Sequence, residues 1–451
     1  MRIRWFPVAG IFLSVAIWQG GMDASSGSQT NRFIPSAPLP EKAGKAEPNP
    51  AAIELVRSFP GRFIRFAPDD RGIVTDEFDS DLTRLFSLDG TELLSFTDTS
   101  IGFALNGQVV VLTSPGAYGS RPDPGTTTRL MTLDGVEIAS FSGSGLSFVP
   151  DTELLIIRDL DEQRSRLVNL DGEEIAVLEG EYFGLELGPR DIVTYSITEG
   201  RYNLYDLNGV EIASFPGQIE GWQALPGNQS VLVSEAGQVR RFDRNGVELA
   251  TYLGHGAGAL PDGQAIFLNS HEENSSRLVG LNGEEIAAYT GRYPKLTPDH
   301  QRVIIRSFRD DTIRIYMLDG TEIVAIPGNF WEFSPDGKSM IVSSYGQENP
   351  DEQKSSLYTL EGVEIATYIG TFEAFWPDAN IVVTSTSRRQ SDTRSLFIET
   401  HLSSLEGELL ATVVGSFGGI SPNQELLAVS PNDSPRVTNL YQIRMGERWL
   451  S

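Results

Sequence analysis

A ten-residue phrase recurs along the chain and restricts the folds that the sequence can adopt. It stands as TLDGVEIASF at Thr132–Phe141, as DLNGVEIASF at Asp206–Phe215 and as TLEGVEIATY at Thr359–Tyr368. Its turn glycine occurs nine times, and between Gly135 and Gly320 the spacing is 37 residues at every step. A constant period of this size is typical of stacked supersecondary units that bury a common core.

A second marker accompanies each unit and is best developed in FSPDGK at Phe333–Lys338. Proline fixes its own φ, and the Asp, Asn or Gly that follows tolerates a reversal, so the marker predicts a sharp turn between two strands. Ten copies occur, one with Leu in place of Pro; they begin at Phe66, Phe103, Phe148, Leu187, Ala224, Ala259, Leu296, Phe333, Phe375 and Ile420.

Short strand-like runs flank both turns. RVIIRS (Arg302–Ser307) follows a proline turn, and TIRIYML (Thr312–Leu318) precedes an Asp-Gly pair that predicts a two-residue hairpin into the phrase. No segment has a convincing amphipathic helical period. One unit is therefore predicted as four antiparallel strands, named a to d in chain order, which is the blade of a β-propeller. Ile138 and Phe141 of the phrase are expected to pack between neighbouring blades.

The ends of the repeat region predict how a ring closes. The last unit supplies strands a to c, from Gly415 to about Arg444, but lacks the phrase, whereas IELVRSFPG at Ile53–Gly61 resembles a lone strand d. Pairing of the two removes open edges that invite aggregation. We therefore expect an all-β protein in which about ten four-stranded antiparallel blades form one closed ring. Two five-bladed rings are the alternative, because ten exceeds the usual range of roughly four to eight blades.

The chain resembles degenerate WD-repeat and TolB-like propellers from about Ala51 to Trp449. FSPDGK (Phe333–Lys338) is close to the a–b turn of that family, and the GHG around His255 is similar to its Gly-His pair. LDG stands where Trp-Asp closes strand c in the family, and His follows Gly in one repeat only. The resemblance implies a propeller, and most of the WD-repeat hydrogen-bond network is missing from the sequence.

The N-terminal segment predicts the compartment. Arg2 and Arg4 precede an apolar run that ends at Trp18, and small residues follow, which is the pattern of a secretory signal. The run is short for a membrane span, which needs roughly 20 residues. Residues 1–24 are predicted to be a signal peptide, with an uncleaved membrane anchor as the alternative. The protein is accordingly expected to be periplasmic, on the cell surface or secreted.

Two further ranges complete the predicted organisation. Residues 25–50 are polar and rich in Pro and Ala, which predicts a flexible linker, and residues 51–449 are predicted to form the propeller. The net charge of −26 argues against partners such as nucleic acid or anionic lipid, so membrane contact is predicted only through the N-terminal segment. The chain has no cysteine, which excludes disulfides and thiolate sites.

The repeats differ in length at one place, between strands b and c. The long loops are Ser114–Thr128, Tyr345–Ser356 and Ser387–Ser395. Antiparallel alternation places them beside the d–a connections, and insertions gathered on one face indicate a binding surface; neutral variation of solvated loops is the alternative. We call this surface the b–c/d–a face. Its candidate contact residues are Trp222, Trp331, Glu332, Tyr118, Arg121, Tyr345, Arg388 and Arg389.

Two kinds of site remain open on this face. Trp222 and Trp331 lie four residues before their turn prolines and are candidates for stacking on a peptide or sugar, with packing between blades as the alternative. His255 and His271 are weak candidates for a metal site, with two solvent-exposed histidines as the alternative. No catalytic residue or resident metal is assigned.

The sequence favours a non-enzymatic exported binding or scaffold module that holds a protein or peptide partner on the b–c/d–a face. No phosphate loop and no G-x-S-x-G elbow occurs, and no cofactor is predicted. A propeller glycosidase, lyase or hydrolase acting on a polysaccharide is the alternative, because distant blades can bring paired carboxylates together.

Overall fold

The computed structural model describes residues 53–77, 82–97, 100–104, 108–114, 126–149, 152–159, 162–184, 191–217, 222–225, 230–344, 353–376, 380–389, 396–432, 436–445 and 448–449. This part of the chain is almost entirely β-structure, with one 3-10 turn at Pro68–Asp70, and no helix in it is long and apolar enough to cross a membrane. Its strands form ten antiparallel blades in one ring, which confirms the predicted all-β propeller. The predicted segments 1–24 and 25–50 lie outside the described residues and stay predictions.

Strand β1 (Ile53–Pro60) precedes the repeated blades. The first five blades contain, in order, β2 (Arg62–Phe66), β3 (Ile73–Glu77), β4 (Leu82–Phe86), β5 (Glu92–Thr97); β6 (Ser100–Ala104), β7 (Val109–Ser114), β8 (Thr127–Thr132), β9 (Glu137–Ser142); β10 (Ser144–Phe148), β11 (Leu154–Asp159), β12 (Arg164–Asn169), β13 (Glu174–Glu179); β14 (Glu181–Gly184), β15 (Ile192–Ser196), β16 (Arg201–Tyr205), β17 (Glu211–Pro216); and β18 (Trp222–Ala224), β19 (Ser230–Glu235), β20 (Gln238–Asp243), β21 (Glu248–Leu253).

Blades six to ten follow the same order. They contain β22 (His255–Ala259), β23 (Ala265–Ser270), β24 (Ser275–Gly280), β25 (Glu285–Thr290); β26 (Arg292–Leu296), β27 (Arg302–Ser307), β28 (Thr312–Met317), β29 (Glu322–Pro327); β30 (Asn329–Phe333), β31 (Ser339–Ser344), β32 (Lys354–Thr359), β33 (Glu364–Ile369); β34 (Thr371–Trp376), β35 (Ile381–Arg389), β36 (Leu396–Ser404), β37 (Leu409–Val414); and β38 (Ser416–Ile420), β39 (Leu426–Ser430), β40 (Val437–Met445), with β41 (Arg448–Trp449) beside β40.

The hydrophobic core lies between the blades. Each blade is packed between two others, so the central residues of its b strand are buried on both faces, as the five consecutive buried residues of β15 illustrate. Strands of this kind are continuous apolar runs rather than alternating ones. Between blades four and five, for example, Tyr202 and Phe215 pack against Trp222 with ring centroids 5.0 and 5.1 Å apart.

The turn between strands c and d is a three-residue loop, not the predicted two-residue hairpin. The Thr132 amide donates to the carbonyl of Val136 at 2.9 Å, and the Gly135 amide donates to the carbonyl of Thr132 at 3.1 Å. Gly135 has φ +81°, a left-handed conformation that glycine adopts without strain and that is typical of a turn followed by a bulge.

The bulge decides which residues of the phrase are buried. Leu130 pairs with Ala139 and Met131 with Glu137, so Ile138 is the extra, unpaired residue. Ile138 is 38% exposed, and its predicted packing between blades is wrong because the bulge removes it from the alternation. Phe141 lies beyond the bulge and is buried, as predicted.

A recurring hydrogen bond fixes the start of several inner strands. A buried Ser or Thr of strand c donates its hydroxyl to the carbonyl of the glycine that precedes the next strand a. The donors Thr128, Ser276 and Thr400 each lie 2.9 Å from the carbonyl oxygen of a glycine 15 residues later. Each bond ties the c strand to the connection between blades, so the d–a connections are held to the sheet.

The tyrosine that ends several phrases adds a bond between blades. The Tyr289 hydroxyl donates to the carbonyl of Leu318 in the next blade at 2.8 Å, and burial raises the pKa of Tyr289 to about 12. Tyr289→Phe is expected to lower the free energy of unfolding by about 1–2 kcal/mol, because the partly buried carbonyl of Leu318 loses the tyrosine hydroxyl as its donor. The ring itself fits, since Phe141 and Phe215 end other phrases. Chemical denaturation of both proteins measures this difference, and equal stabilities would contradict the assignment.

The ring is closed by β1, as predicted. β1 pairs antiparallel with β40, with Ser58 opposite Asn439, so the N-terminal strand is strand d of blade ten. Phe59 is buried in the adjacent core, and the Thr438 hydroxyl donates to the carbonyl of Gly61 at 2.9 Å. The recurring Ser/Thr–Gly hydrogen bond is thus also present where the two ends of the chain meet.

Candidate functional site

Among the described strands, one hairpin extends beyond the others on the b–c/d–a face. β35 and β36 have nine residues each, whereas the b and c strands of blades one to eight have five or six. The pairing is continuous from Ile381 opposite Ser404 to Arg389 opposite Leu396. About three additional residues per strand, at roughly 3.4 Å each, raise this hairpin about 10 Å further than its neighbours. The predicted insertion after strand b of blade nine is therefore partly ordered β-structure. We call the hairpin of β35 and β36 the rising hairpin.

A pocket of about 290 Å³ lies where blades nine, ten and one meet, and we call it the seam pocket. Its apolar wall comes from three elements that are distant in sequence. It is lined by Phe63 of β2, Leu396 and Ile398 of β36, Phe417 of β38 and Pro431, together with Arg62, Ser416, Gly418, Ser430 and Asn432.

Polar groups hold the wall of the seam pocket in place. The Asn432 amide donates to the carbonyl of Ile398 at 2.8 Å and accepts from the Ile398 amide at 3.1 Å, which joins blade ten to the rising hairpin. Arg62 forms a two-point ion pair with the buried carboxylate of Asp76, at 3.1 and 2.7 Å. The Arg62 side chain is half-exposed and lines the pocket, while the carboxylate of its partner stays buried.

The residues of the seam pocket do not form a pattern in the sequence. Phe63 and Phe417 meet only because the ring closes, and no spacing rule connects them. One signal was present: Gly418 and Gly419 are consecutive inside a strand, which indicates close approach of another group. A Cβ on Gly418 would lie 2.7 Å from the Phe63 ring.

The two candidate tryptophans occupy different positions despite their equal distance from proline. Trp222 is 7% exposed and packs between blades four and five, so the packing alternative applies to it and it is not available for stacking. Trp222 is paired with Val233. In blade eight the equivalent pair is Phe330 with Val342, so Trp222 takes the position of Phe330 and not that of Trp331. Trp331 lies in the bulge after Phe330 and is 41% exposed. β18 has no such bulge in its pairing with β19, and this difference leaves Trp222 buried and Trp331 exposed.

The remaining candidates are scattered over the face. Glu332 is exposed beside Trp331, and Arg388 pairs with Glu399 at 3.0 Å while its guanidinium lies 5.3 Å from the centre of the Phe397 ring. Arg389 is the last residue of β35. The other three candidates lie outside the described residues: Tyr118, Arg121 and Tyr345.

The two candidate metal ligands are close together but lack further ligands. The His255 and His271 rings are 4.6 Å apart in an edge-to-face arrangement. The Arg292 guanidinium lies 3.0 Å from Nδ1 of His271, and burial, His255 and Arg292 together lower the pKa of His271. Across the described ranges, no group of three or more His, Asp or Glu side chains is arranged to hold a metal ion. The arrangement is that of a cationic cluster.

His401 is buried at the base of the rising hairpin and predicts a pH dependence of stability. Its ring nitrogens lie 2.9 Å from the Thr386 hydroxyl and 3.1 Å from the Thr412 hydroxyl. Burial lowers the pKa of His401, with Glu399 raising it and Arg388 lowering it further. Below its ordinary value of roughly 6.5 the unfolded chain therefore takes up the proton more readily than the folded one.

Stability is consequently expected to fall as the pH decreases from about 6.5 through the folded-state pKa. His401→Gln is expected to flatten this decline and not to abolish it, because His271 contributes with the same sign. Denaturation midpoints measured at several pH values for both proteins test this. A decline that is unchanged in the variant would show that His401 is not a cause.

Several solved structures are similar to part of the chain, and their sequence identity to it is low. The chain is similar to a structure described as the crystal structure of the eukaryotic initiation factor, at 13% identity and TM-score 0.46, over 68% of this chain and 90% of that one. It is also similar to dihydro-heme d1 dehydrogenase NirN in complex with DHE (13%, TM-score 0.38, 72% of this chain and 81% of that one). A third is Hsv2 of Kluyveromyces lactis (12%, TM-score 0.33, 58% and 98%).

Comparison of the sequence with known families and proteins gives no family for the chain. No family model and no curated protein matches the chain. At the identities and TM-scores of the three solved structures, their likeness carries no argument about function. Kinship with WD-repeat or TolB-like propellers therefore stays a prediction, and the functional argument depends on the geometry of the b–c/d–a face.

Proposed function

We propose that the protein is a non-enzymatic exported binding module that holds a protein or peptide partner on its b–c/d–a face. The observation that carries the proposal is the seam pocket beside the rising hairpin of blade nine. Its volume of about 290 Å³ lies at the lower end of the roughly 300–1,000 Å³ of small-molecule sites. A pocket of this size suits one large anchoring side chain of a partner, and such anchors supply most of the energy of many interfaces.

The surroundings of the pocket fit the same role. Leu396 is 50% exposed at the start of β36, so it offers apolar surface beside the pocket lining of Phe63 and Phe417. The half-exposed Arg62 guanidinium supplies a polar group at the same place. An apolar centre with a polar group beside it is the usual composition of a protein interface.

The proposal predicts that one substitution on this face weakens binding of the partner. Leu396→Glu is expected to weaken the purified partner's binding by at least about tenfold, since it introduces a charge at an apolar contact. Val136→Glu is the matched control, because Val136 is also exposed but lies at a c–d turn on the opposite face.

The experiment uses residues 51–451 as bait in an extract of the source organism, followed by titration of the purified partner against the three proteins. Loss of binding in Leu396→Glu alone supports the proposal. Equal binding by all three, or loss in the Val136 variant, contradicts the placement of the site. If only polysaccharide is retained and processed, the enzyme alternative replaces the proposal.

A further inference from the structure

A second feature of the b–c/d–a face is a group of cationic and aromatic side chains in blades six and seven, away from the seam pocket. We call it the basic–aromatic cluster; its members are His255, His271, Arg292, Tyr293, Arg306 and Phe308. All six stand at the start of a strand a, at the end of a strand b or in the turn after it.

Two departures from ordinary strand chemistry coincide in this cluster. Arg292 and Arg306 are directly opposite each other on β26 and β27, and like charges in that position destabilise a sheet. Tyr293 has φ +59°, which is a costly conformation for a bulky residue. Strain of this kind persists where the surroundings enforce it and gathers at binding sites.

Pro294 accounts for the exposure of Tyr293. Proline has no amide to donate, and pairing between β26 and β27 is interrupted from Arg292 to Lys295. Tyr293 is 53% exposed, whereas Phe372, two residues after the corresponding glycine of blade nine, is 5% exposed. The Tyr293 ring is therefore on the surface, whereas the equivalent Phe372 ring of blade nine is packed between blades.

The aromatic rings support the guanidinium groups. The Arg292 guanidinium carbon lies 4.7 Å from the centre of the Phe308 ring and 5.5 Å from that of Tyr293, and the Arg306 carbon lies 4.5 Å from that of Phe308. Guanidinium groups over aromatic rings are held in orientation and keep their in-plane N–H groups for planar oxyanions.

The charge of Arg292 is not balanced by a carboxylate. Several arginines on c strands are paired with a glutamate, as Arg314 with Glu322 at 2.9 Å and Arg277 with Glu285 at 3.4 Å. Among the described residues, Arg292 has no carboxylate within 4.0 Å, and its polar partner is Nδ1 of His271. An arginine only donates, so this nitrogen must be the acceptor and His271 is neutral in this arrangement.

We propose that the basic–aromatic cluster binds a carboxylate of the peptide partner, from an Asp or Glu side chain or from a C-terminus. Two guanidiniums with oriented N–H groups match a planar carboxylate. Arg306 lies 3.5 Å from the exposed carboxylate of Asp311, so a bound carboxylate would share Arg306 with Asp311 or displace it. The net charge of −26 disfavours dense polyanions and leaves a peptide with few acidic groups as the suitable ligand.

The inference rests on the proposed function for the peptide nature of the ligand, and its test is independent of partner capture. Three short dye-labelled peptides serve as probes: one with internal Glu residues and an amidated C-terminus, one with Gln in their place and the same amide, and the Gln peptide with a free carboxylate. Fluorescence anisotropy is expected to show at least about tenfold tighter binding of one or both carboxylate peptides than of the neutral one. The two carboxylate peptides distinguish the side chain from the C-terminus.

Substitutions of single arginines test whether the carboxylate binds at the basic–aromatic cluster. Arg292→Gln is expected to reduce carboxylate binding to the level of the neutral peptide, and Arg292→Lys to retain part of it, because charge remains while the two-nitrogen fork is lost. Arg302→Gln is the control: Arg302 lies at the other end of β27, where it pairs with Asp299 and Glu361. It removes the same charge and is expected to leave binding unchanged.

Other outcomes overturn the inference. Equal binding of the three peptides, no binding, or the same loss in Arg302→Gln as in Arg292→Gln would each do so. Failure of the Leu396→Glu experiment with carboxylate binding intact would remove the proposed function and leave the cluster as a carboxylate site. The reverse pattern would leave the seam pocket as the binding site and remove the cluster from it.

Discussion

A chain that begins after Pro60, and so lacks β1, is expected to lose its cooperative fold and to aggregate. Seven residues of β1 are paired with β40, and without them β40 presents an open edge and the core around Phe59 is exposed. The substitution Phe59→Ala alone is expected to cost about 3–5 kcal/mol of unfolding free energy, the usual cost of truncating a buried aromatic ring.

A chain that begins at Ala51 is the matched control and is expected to behave as the full chain does. Circular dichroism, light scattering and chemical denaturation are measured for the chain without β1, for Phe59→Ala and for the chain that begins at Ala51. Together they report the loss of fold, the aggregation and the change in unfolding free energy. A chain without β1 that remains monomeric with an unchanged denaturation midpoint would show that the strand contributes little to closure.

Trp376→Ala is the second substitution with a large expected effect. Trp376 is fully buried at the end of β34, and its indole N–H donates to the carbonyl of Gln424 in blade ten at 2.5 Å. Truncation removes the ring from the core that contains Val383 and Leu427 and also removes the hydrogen bond from the indole to Gln424. A loss of about 3–5 kcal/mol in unfolding free energy is expected.

Trp331→Ala provides the comparison, because the same atoms are removed from an exposed bulge. Its effect is expected to stay within about 0.5 kcal/mol, as for most surface substitutions. Denaturation curves of both variants test the contrast. Similar losses in the two would mean that exposure of the ring does not decide its contribution, and the assignment of Trp376 to the core between blades nine and ten would be wrong.

The regular features of this fold follow from the sequence. The repeated phrase and the proline turns predicted strands and blade count, because each turn requires a particular residue at a particular φ. IELVRSFPG predicted closure, because a lone strand d ahead of the first unit matches a last unit without one. These are local requirements, and they are the same in every blade.

The departures from regularity were not predictable in the same way. Trp222 and Trp331 have the same distance to proline, and one bulge buries the first and exposes the second. Ile138 is exposed because the turn consumes one more residue than Asp-Gly alone indicates. The seam pocket is formed by Phe63 and Phe417, which are brought together by closure of the ring, so no short-range pattern contains the site.

The measurement that tests the account most directly is a disulfide across the closure. The chain has no cysteine, so Ser58→Cys with Asn439→Cys creates a single pair, and these positions are directly opposite although 381 residues apart. Opposed residues on antiparallel strands have Cα atoms about 4.5–5.5 Å apart, within the range of roughly 4.4–6.8 Å that a disulfide needs. The control pair joins Ser58→Cys to Arg240→Cys in β20 of blade five, the position opposite strand d where a five-bladed ring would close.

Mild oxidation followed by non-reducing electrophoresis and mass spectrometry reads out the bond. A single ten-bladed ring predicts a cross-link within one monomer for the 58–439 pair and none for the 58–240 pair. A cross-link for the 58–240 pair, or none for the 58–439 pair, would contradict the ring on which the seam pocket and the b–c/d–a face depend.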